Sequence, residues 1–467
     1  MTLTSAKNLL KKDTKWVSLQ FTDISGRLRE VVLSAEAFRD GDIIEGFPKL
    51  DGSSIEGFAG IEESDMVLSP IPETAGRVPW DETSMRFLNK VYKKAGEGRF
   101  EKDPRFAAER TEEVFAKNKL LSFFGPEIEF FIFDKVDMDI ASPSSGTGYK
   151  IHSSEAPWSN DAQSIGFKKG YYPVPPMDKT ADLRKSVAET LSKDFGLSIE
   201  AVHHEVATAG QAEINFKYSR LLKAADGVQL FKYAARNIAS RQGKIVTFMP
   251  KPMFGDNGSG MHTNVSFWSS TGDKNVMYDP NDKYAELSQT GRYAVGGLLS
   301  HAMALSALVS PTTNSYRRLV PGYEAPTYIA WSRANRSVAA RIPTYHKGKA
   351  STKRVEYRPP DPAANPYLAF SALALAMLDG IKKKIDPGDP VDANLYELSK
   401  ERKTALHIKE LPGSLTEAIS ALKSDNSFLK EAFTNELLET YMEIKEREAV
   451  NINNYPHPIE LSTYFDL

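Results

Sequence analysis

Glutamates recur at even spacings inside runs that are too apolar for solvated loops. In "FFGPEIEFFIF", Glu127 and Glu129 stand two apart among aromatic and β-branched neighbours. In "VHHEVATAGQAEINF", Glu205 and Glu213 lie eight apart, beside His203 and His204, which stand equally as ligands or as satisfied core histidines. A strand alternates faces at every residue, so Glu127 and Glu129 project to one side. A Gly-Gln turn can fold Glu205 back towards Glu213. In "GSGMHTNVSFW", polar His262, Asn264 and Ser266 alternate with Met261, Thr263, Val265 and Phe267, and in "KRVEYRPP" Glu356 and Arg358 repeat the two-residue step. Carboxylates gathered in an apolar setting raise one another's pKa and destabilise the fold, unless a multivalent cation lies between them. Five carboxylates and one imidazole, without thiolates, suit Mg²⁺ or Mn²⁺, and six ligands are ample for two ions.

Arginines supply the opposite charge. "SYRRLVPGYEAP" contains Arg318 and Glu324, "SRANRSVAARIP" contains Arg336 and Arg341, and Arg358 follows Glu356. Guanidinium forks grip carboxylate and phosphate in a bidentate way. Paired cations beside arginines are what phosphoryl transfer needs, because charge spread over the moving group must be neutralised. No G-x-x-x-x-G-K-[ST] is present, so this is not a P-loop chemistry.

Short strand-like pieces, "WVSLQFTDI", "LREVVL" and "MVLSPI", predict a small β-rich domain from Trp16 to Lys94. "KKAGEGRFEKDPR" breaks that pattern and marks a boundary, and "DPRFAAERTEEVFAKNKL" reads as a capped amphipathic helix. Strands and helices then interleave, "SPSSGTGYKIHSSEAPWSND" reads as a long surface loop, and the last third is mostly helical. The 467 residues are 41% hydrophobic and 26% charged, with a net charge of -2, so nothing favours nucleic acid or an anionic membrane as partner. Cysteine is absent, which excludes disulfides and thiolate metal sites. "GGLLSHAMALSALVS" and "LAFSALALAMLDGI" are too short and interrupted to span a bilayer, and "MTLTSAKNLLKKDTK" lacks a signal-length apolar core; a cytoplasmic location is expected.

Seven motifs, "DGSSIEGF", "GPEIEFFIFD", "HHEVATAGQAEINF", "KPMFGDNGSGMHTNVSFW", "NSYRRLVPGYEAP", "NRSVAARIP" and "VEYRPPDPAANPYL", resemble class I glutamine synthetase in type and order. The resemblance implies an α+β fold: a small N-terminal β-grasp-like domain, residues 1–100, then a large catalytic domain, residues 101–467, whose curved, mainly antiparallel sheet is flanked by helices. It implies that ATP phosphorylates the γ-carboxylate of L-glutamate and that ammonia displaces the phosphate. By resemblance Glu129, Glu205 and Glu213 hold one divalent ion, and Glu127, His262 and Glu356 another. Asn257, Gly258, Arg318, Glu324, Arg336 and Arg358 match glutamate-binding positions. Glu200, Asn264, Ser266, Arg336 and Arg341 match the ATP side. Asn264 replaces a histidine found in some members, and its amide can still donate to phosphate. Asp51, with Ser54 beside it, matches the aspartate that takes a proton from ammonium; Glu324 matches the glutamate of a closing flap, and Arg336 a catalytic arginine. The family assembles as two stacked hexamers with sites between subunits, so a dodecamer is expected. Tyr396 in "LYEL" matches the tyrosine that some members adenylylate, but "SKERKT" lacks the proline and acids that usually follow. Gly60 stands where glutamine-inhibited members carry arginine. A ligase for a larger amine and a non-catalytic ring scaffold are the neighbouring readings; intact Asp51 and Glu324 favour ammonia, and six filled ligand positions favour catalysis.

Overall fold

The structure, a computed structural model, describes residues 2–40, 49–94, 97–344, 346–406 and 408–464. The first sheet holds β1 (Trp16–Thr22), β2 (Leu28–Ser34), β3 (Lys49–Asp51), β4 (Asp65–Pro70), β5 (Gly76–Val78) and β6 (Asp81–Tyr92). Their order is β2-β1-β6-β4-β3, with β5 added to β6. All pairs are antiparallel except β1 with β6. Ala95 and Gly96, inside the expected boundary segment, lie outside the described residues. The helix Pro104–Lys117 follows, opened as its sequence dictates: Asp103 accepts from the Arg105 amide at 3.0 Å, and proline fills the first turn.

The second sheet is built around β7 (Leu120–Phe133). Its other members are β10 (Ile199–His204), β11 (Gln211–Phe216), β12 (Ser219–Arg220), β13 (Ile245–Thr247), β14 (Met261–Ser269), β15 (Tyr328–Ser332), β16 (Val338–Arg341), β17 (Val355–Tyr357) and β18 (Lys409–Glu410). The order is β10-β11-β7-β14-β17-β16-β15-β18, with β12 and β13 also on β7, and only β15 and β16 run parallel. A separate hairpin pairs β8 (Lys135–Asp139) with β9 (Gly148–His152). That corrects the expectation of one long loop in part: Tyr149 and Ile151 extend the chain within β9, while residues 140–147 and, apart from the turn Pro157–Ser159, residues 153–161 stay irregular.

Alternation along β7 separates core from site. Phe124, Ile128, Phe130 and Ile132 are buried against helices, with Phe124 stacked on Phe370 of the helix Pro366–Lys383 (5.0 Å) and Phe130 edge-on to Phe231 of the helix Leu221–Arg241 (5.4 Å). Glu127 and Glu129 face the other way. A flat sheet would set β10 about 24 Å from β16 at the usual strand spacing. Yet His203 of β10 and Arg341 of β16 line one cavity, so the sheet curls around it. The small sheet docks where Asn365, capping the helix Pro366–Lys383, donates to the Asp23 and Ile24 carbonyls (3.1 and 3.2 Å). Among the described residues, no helix is long and apolar enough to cross a membrane.

Behind the sheet, the helices Gln289–Ser300 and Pro366–Lys383 cross on glycines. A Cβ on Gly297 would meet the Ala376 carbonyl oxygen at 2.0 Å, and one on Gly380 would meet that of Tyr293 at 2.2 Å. Backbone cannot yield as a side chain can, so Gly297→Val should cost about 3 kcal/mol and lower the thermal unfolding midpoint. An unchanged midpoint in calorimetry would contradict this packing.

Candidate active site

Strand register carries the acids into one row. Glu213 of β11 faces His203 of β10 on one side and Glu129 of β7 on the other. Glu127 faces His262 of β14, Glu356 of β17 faces Asn264, and Arg341 of β16 faces Glu356. The turn between β10 and β11 runs through left-handed Ala209 and Gly210 (φ 60° and 85°), and brings Glu205 back beside Glu213. Ligand atoms of His203, Glu205 and Glu213 lie within 4.8 Å of one another, an arrangement able to hold a metal ion. The cavity they line has a volume of about 590 Å³ and also takes in Glu127, Glu129, His262 and Glu356.

Electrostatics separates these acids. Burial, then the charges of Glu129 and Glu213, pushes Glu205 up to about 9. Burial, then Glu129 and Glu127, pushes Glu213 up to about 8. Glu127 is raised by burial and by Glu356. Burial also opposes charge on Glu129, but His262 at 3.4 Å, Arg318 and the Gly260 amide at 2.8 Å outweigh it and hold this carboxyl low. Glu356 differs. Arg341 donates to one oxygen at 2.7 Å and Arg358 to the other, which brings its pKa to about 2 despite burial. Glu205, Glu213 and Glu127 therefore have a charge deficit that a divalent cation removes.

The basic groups have the converse need. Arg318 is 4% exposed, and its guanidinium donates to the carbonyls of Pro359 (2.8 Å), Pro360 (3.3 Å) and Arg358 (3.2 Å). Carbonyls fix the orientation of the guanidinium, with Asp361 and Glu129 as its nearest opposite charges, and it lies on the cavity wall in a position to meet a carboxylate. Gly258 and Asn257 lie beside it, and a Cβ on Gly258 would meet the Pro250 carbonyl oxygen at 2.3 Å, so only glycine fits there. Arg336, exposed, lines the same cavity.

A second cavity of about 310 Å³ shares Glu127, Asn215 and Arg354 with the first and is lined by Glu200, Asn264 and Ser266. Asn264 differs from expectation in detail. Its amide hydrogens go to the Gly125 carbonyl (3.1 Å) and Glu127 (2.9 Å), and its oxygen accepts from Arg354 (2.8 Å). With every polar atom engaged, it orients Glu127 and Arg354 instead of offering a free donor to phosphate.

The two remaining expectations part company. Glu324 lines the first cavity in left-handed backbone (φ 56°), two residues after left-handed Gly322 (φ 92°). Asp51 and Ser54 do not line it. They sit exposed at the small sheet, where Asp51 accepts from the Ser53 hydroxyl (2.6 Å), the Ser54 hydroxyl (2.8 Å) and the Ser53 amide (2.9 Å), bonds that hold its pKa low. Sequence reasoning passed over Gln211 and Arg354, although each lies two residues from a chosen glutamate and so shares its face. It also passed over Lys168, Tyr171, Tyr172 and Tyr323, loop residues with no periodic signal. The paired histidines divide: His203 faces the acids, and His204 is buried against Glu155 (3.2 Å).

Acids that need cations, beside guanidiniums that need anions, are the parts of a metal-assisted phosphoryl-transfer enzyme. A family model for the glutamine synthetase beta-Grasp domain matches residues 13–94, and one for the glutamine synthetase catalytic domain matches residues 101–464. Glutamine synthetase of Sulfolobus acidocaldarius is 57% identical, over 98% of this chain and 97% of its own. That of Escherichia coli is 43% identical, over 98% of each. Among solved structures, Plasmodium falciparum glutamine synthetase aligns over 99% of both chains with a TM-score of 0.87 and 26% identity, and a GmaS complex with ADP aligns with a TM-score of 0.82 and 27% identity over all of both. The chain belongs to the glutamine synthetase family, and its activity is ATP-dependent glutamine synthesis with divalent metal ions.

The acid row makes stability depend on pH and metal together. Glu205 and Glu213 titrate higher in the folded protein than in an unfolded chain, so the stability they contribute is complete below about pH 4.3 and is lost as pH rises through 8 and 9. A divalent cation held by these carboxylates would need them ionised. The rise in unfolding midpoint on adding saturating Mg²⁺ should therefore be larger at pH 9 than at pH 6, and Glu213→Gln should flatten the difference. Equal increments at both pH values would contradict the assignment.

Proposed function

We propose that the six-ligand row holds two Mg²⁺ or Mn²⁺ ions, one on Glu129, Glu205 and Glu213 and one on Glu127, His262 and Glu356. The observation that carries this reading is the uncompensated acid cluster around Glu205 and Glu213, set against the carbonyl-held guanidinium of Arg318. Asn257, Gly258, Arg318 and Arg358 would receive L-glutamate, with its γ-carboxylate turned towards the metals. The second cavity, with Glu200, Ser266 and the Asn264–Arg354 pair, would take ATP, and Arg336 and Arg341 would receive its terminal phosphate. The ADP named with a related fold supports nucleotide binding here. Phosphoryl transfer gives γ-glutamyl phosphate, ammonia attacks its acyl carbon, and phosphate leaves. Metals and arginines stabilise the charge in transit, and Arg336→Ala should lower turnover by about tenfold or more.

Asp51 and Ser54 lie away from their own chain's cavity, which supports a site completed by a neighbouring subunit, and the family resemblance supports a dodecamer of two stacked hexamers. In that assembly Asp51 deprotonates ammonium and Glu324 closes the site and takes the proton lost on amide formation. Residues 1–100 and 101–467 would act as two domains for this purpose, and the cytoplasm as the working compartment. An assay with glutamate, ATP, Mg²⁺ and ammonium, each omitted in turn, tests the reaction: glutamine should form only when all four are present.

The shared site has its own test. Asp51→Ala chains and Glu129→Ala chains should each lose nearly all synthesis. Assembled together at random, they should recover roughly a quarter of wild-type activity, because half the sites draw an intact Asp51 and half an intact Glu129. No recovery in mixed rings would place both residues in a single chain's site.

A further inference from the structure

The flap residues Pro321 to Pro326 are exposed except for Tyr323, half-buried, and buried Ala325 and Pro326, yet Glu324 adopts a left-handed conformation that costs about 1 kcal/mol and persists only where surroundings over-determine it. Two clamps do so. Lys168 donates its ammonium to the Gly322 carbonyl at 3.0 Å and lies 4.3 Å from the centre of the Tyr323 ring, with Lys251 at 3.8 Å from the same ring. On the other side of Glu324, the Tyr396 hydroxyl donates to the Ala325 carbonyl. Carbonyls flanking Glu324 at positions 322 and 325 are thus both held from outside the flap.

The platform behind Tyr396 is rigid. Leu395 is fully buried in a cluster with Tyr328, Ala330 and Val338 of β15 and β16, and Tyr396 packs at its edge. The Tyr396 amide donates to Asn394 (3.1 Å), and Lys403 donates to the Tyr328 hydroxyl (2.7 Å). Burial raises the Tyr396 phenol to about 12, so it keeps its donor proton at any working pH.

We propose that Tyr396, through the Ala325 carbonyl, and Lys168, through the Gly322 carbonyl, are positioning residues that latch the Glu324 flap shut. The inference rests on the reading of Glu324 as the group that closes the site. A closed flap keeps water from the acyl phosphate. When it loosens, a water oxygen bonds to the acyl carbon, the carbon–oxygen bond to phosphate breaks with its electron pair going to phosphate, and a proton passes to solvent. Glutamate is regenerated, and one ATP is spent without glutamine.

The readout is the ratio of phosphate released to glutamine formed by the assembled enzyme with glutamate, ATP, Mg²⁺ and ammonium. Wild type should give one. Tyr396→Phe keeps the ring and removes only the donor, and should raise the ratio to two or more, with faster amide hydrogen exchange confined to residues 322–325. Lys168→Met should move both quantities in the same direction, and carries the test if the tyrosine variant fails to assemble. A ratio of one with wild-type exchange in both variants overturns the latch. A wild-type enzyme that releases phosphate without making glutamine overturns the reaction assignment instead, and the exchange measurement then decides the latch on its own.

Discussion

A buried carboxylate is tolerable only when something positive stands beside it, and this fold gathers carboxylates faster than it gathers internal cations to match. Strand β7 causes this. Its alternate residues commit one face to Phe124, Ile128 and Phe130 against the helices, which forces Glu127 and Glu129 onto the other face together. Pairing with β11 and β14 then adds Glu213 and His262 at the same level. Glu356 finds internal compensation in Arg358, His262 and Arg341, and Glu129 in His262, Arg318 and the Gly260 amide. Glu127, Glu205 and Glu213 are left with a charge deficit fixed by backbone register.

The arginines complete the argument from the opposite sign. Arg318 is oriented by three backbone carbonyls on the cavity wall, facing Asp361 and Glu129. Strand geometry pairs Arg341 and Arg358 with Glu356 but leaves Glu205 and Glu213 without such a partner. In the proposed function, metal ions would satisfy the unpaired acids, and the carboxylate and phosphates of the substrates the arginines. The protein's own electrostatics is thus incomplete in the way that the reaction fills.

Period-two spacing was enough to read the strands that matter and the shared face of Glu127 with Glu129, and the even spacing of Glu205 with Glu213 signalled a fold-back turn. The same rule, applied further, reaches Gln211, which hydrogen-bonds Glu129 and the Gly258 carbonyl, and Arg354, which joins the two cavities through Asn264. Lys168, Tyr171 and Tyr323 had no such signal, because loops carry no period and their positions depend on contacts far along the chain. The candidate role of Asp51 rests on family resemblance alone, because its exposed turn has no local feature beyond an aspartate accepting from two serine hydroxyls. The Asn264 amide, read from the resemblance as a possible donor to phosphate, donates here to the Gly125 carbonyl and Glu127.

Counting bound Mn²⁺ per chain by electron paramagnetic resonance, on the assembled enzyme at pH 8, addresses the central claim most directly. The account predicts two tightly held ions per chain, falling to one when Glu205 and Glu213 are both replaced by glutamine. Binding of no ion, or a count indifferent to that double replacement, would contradict it.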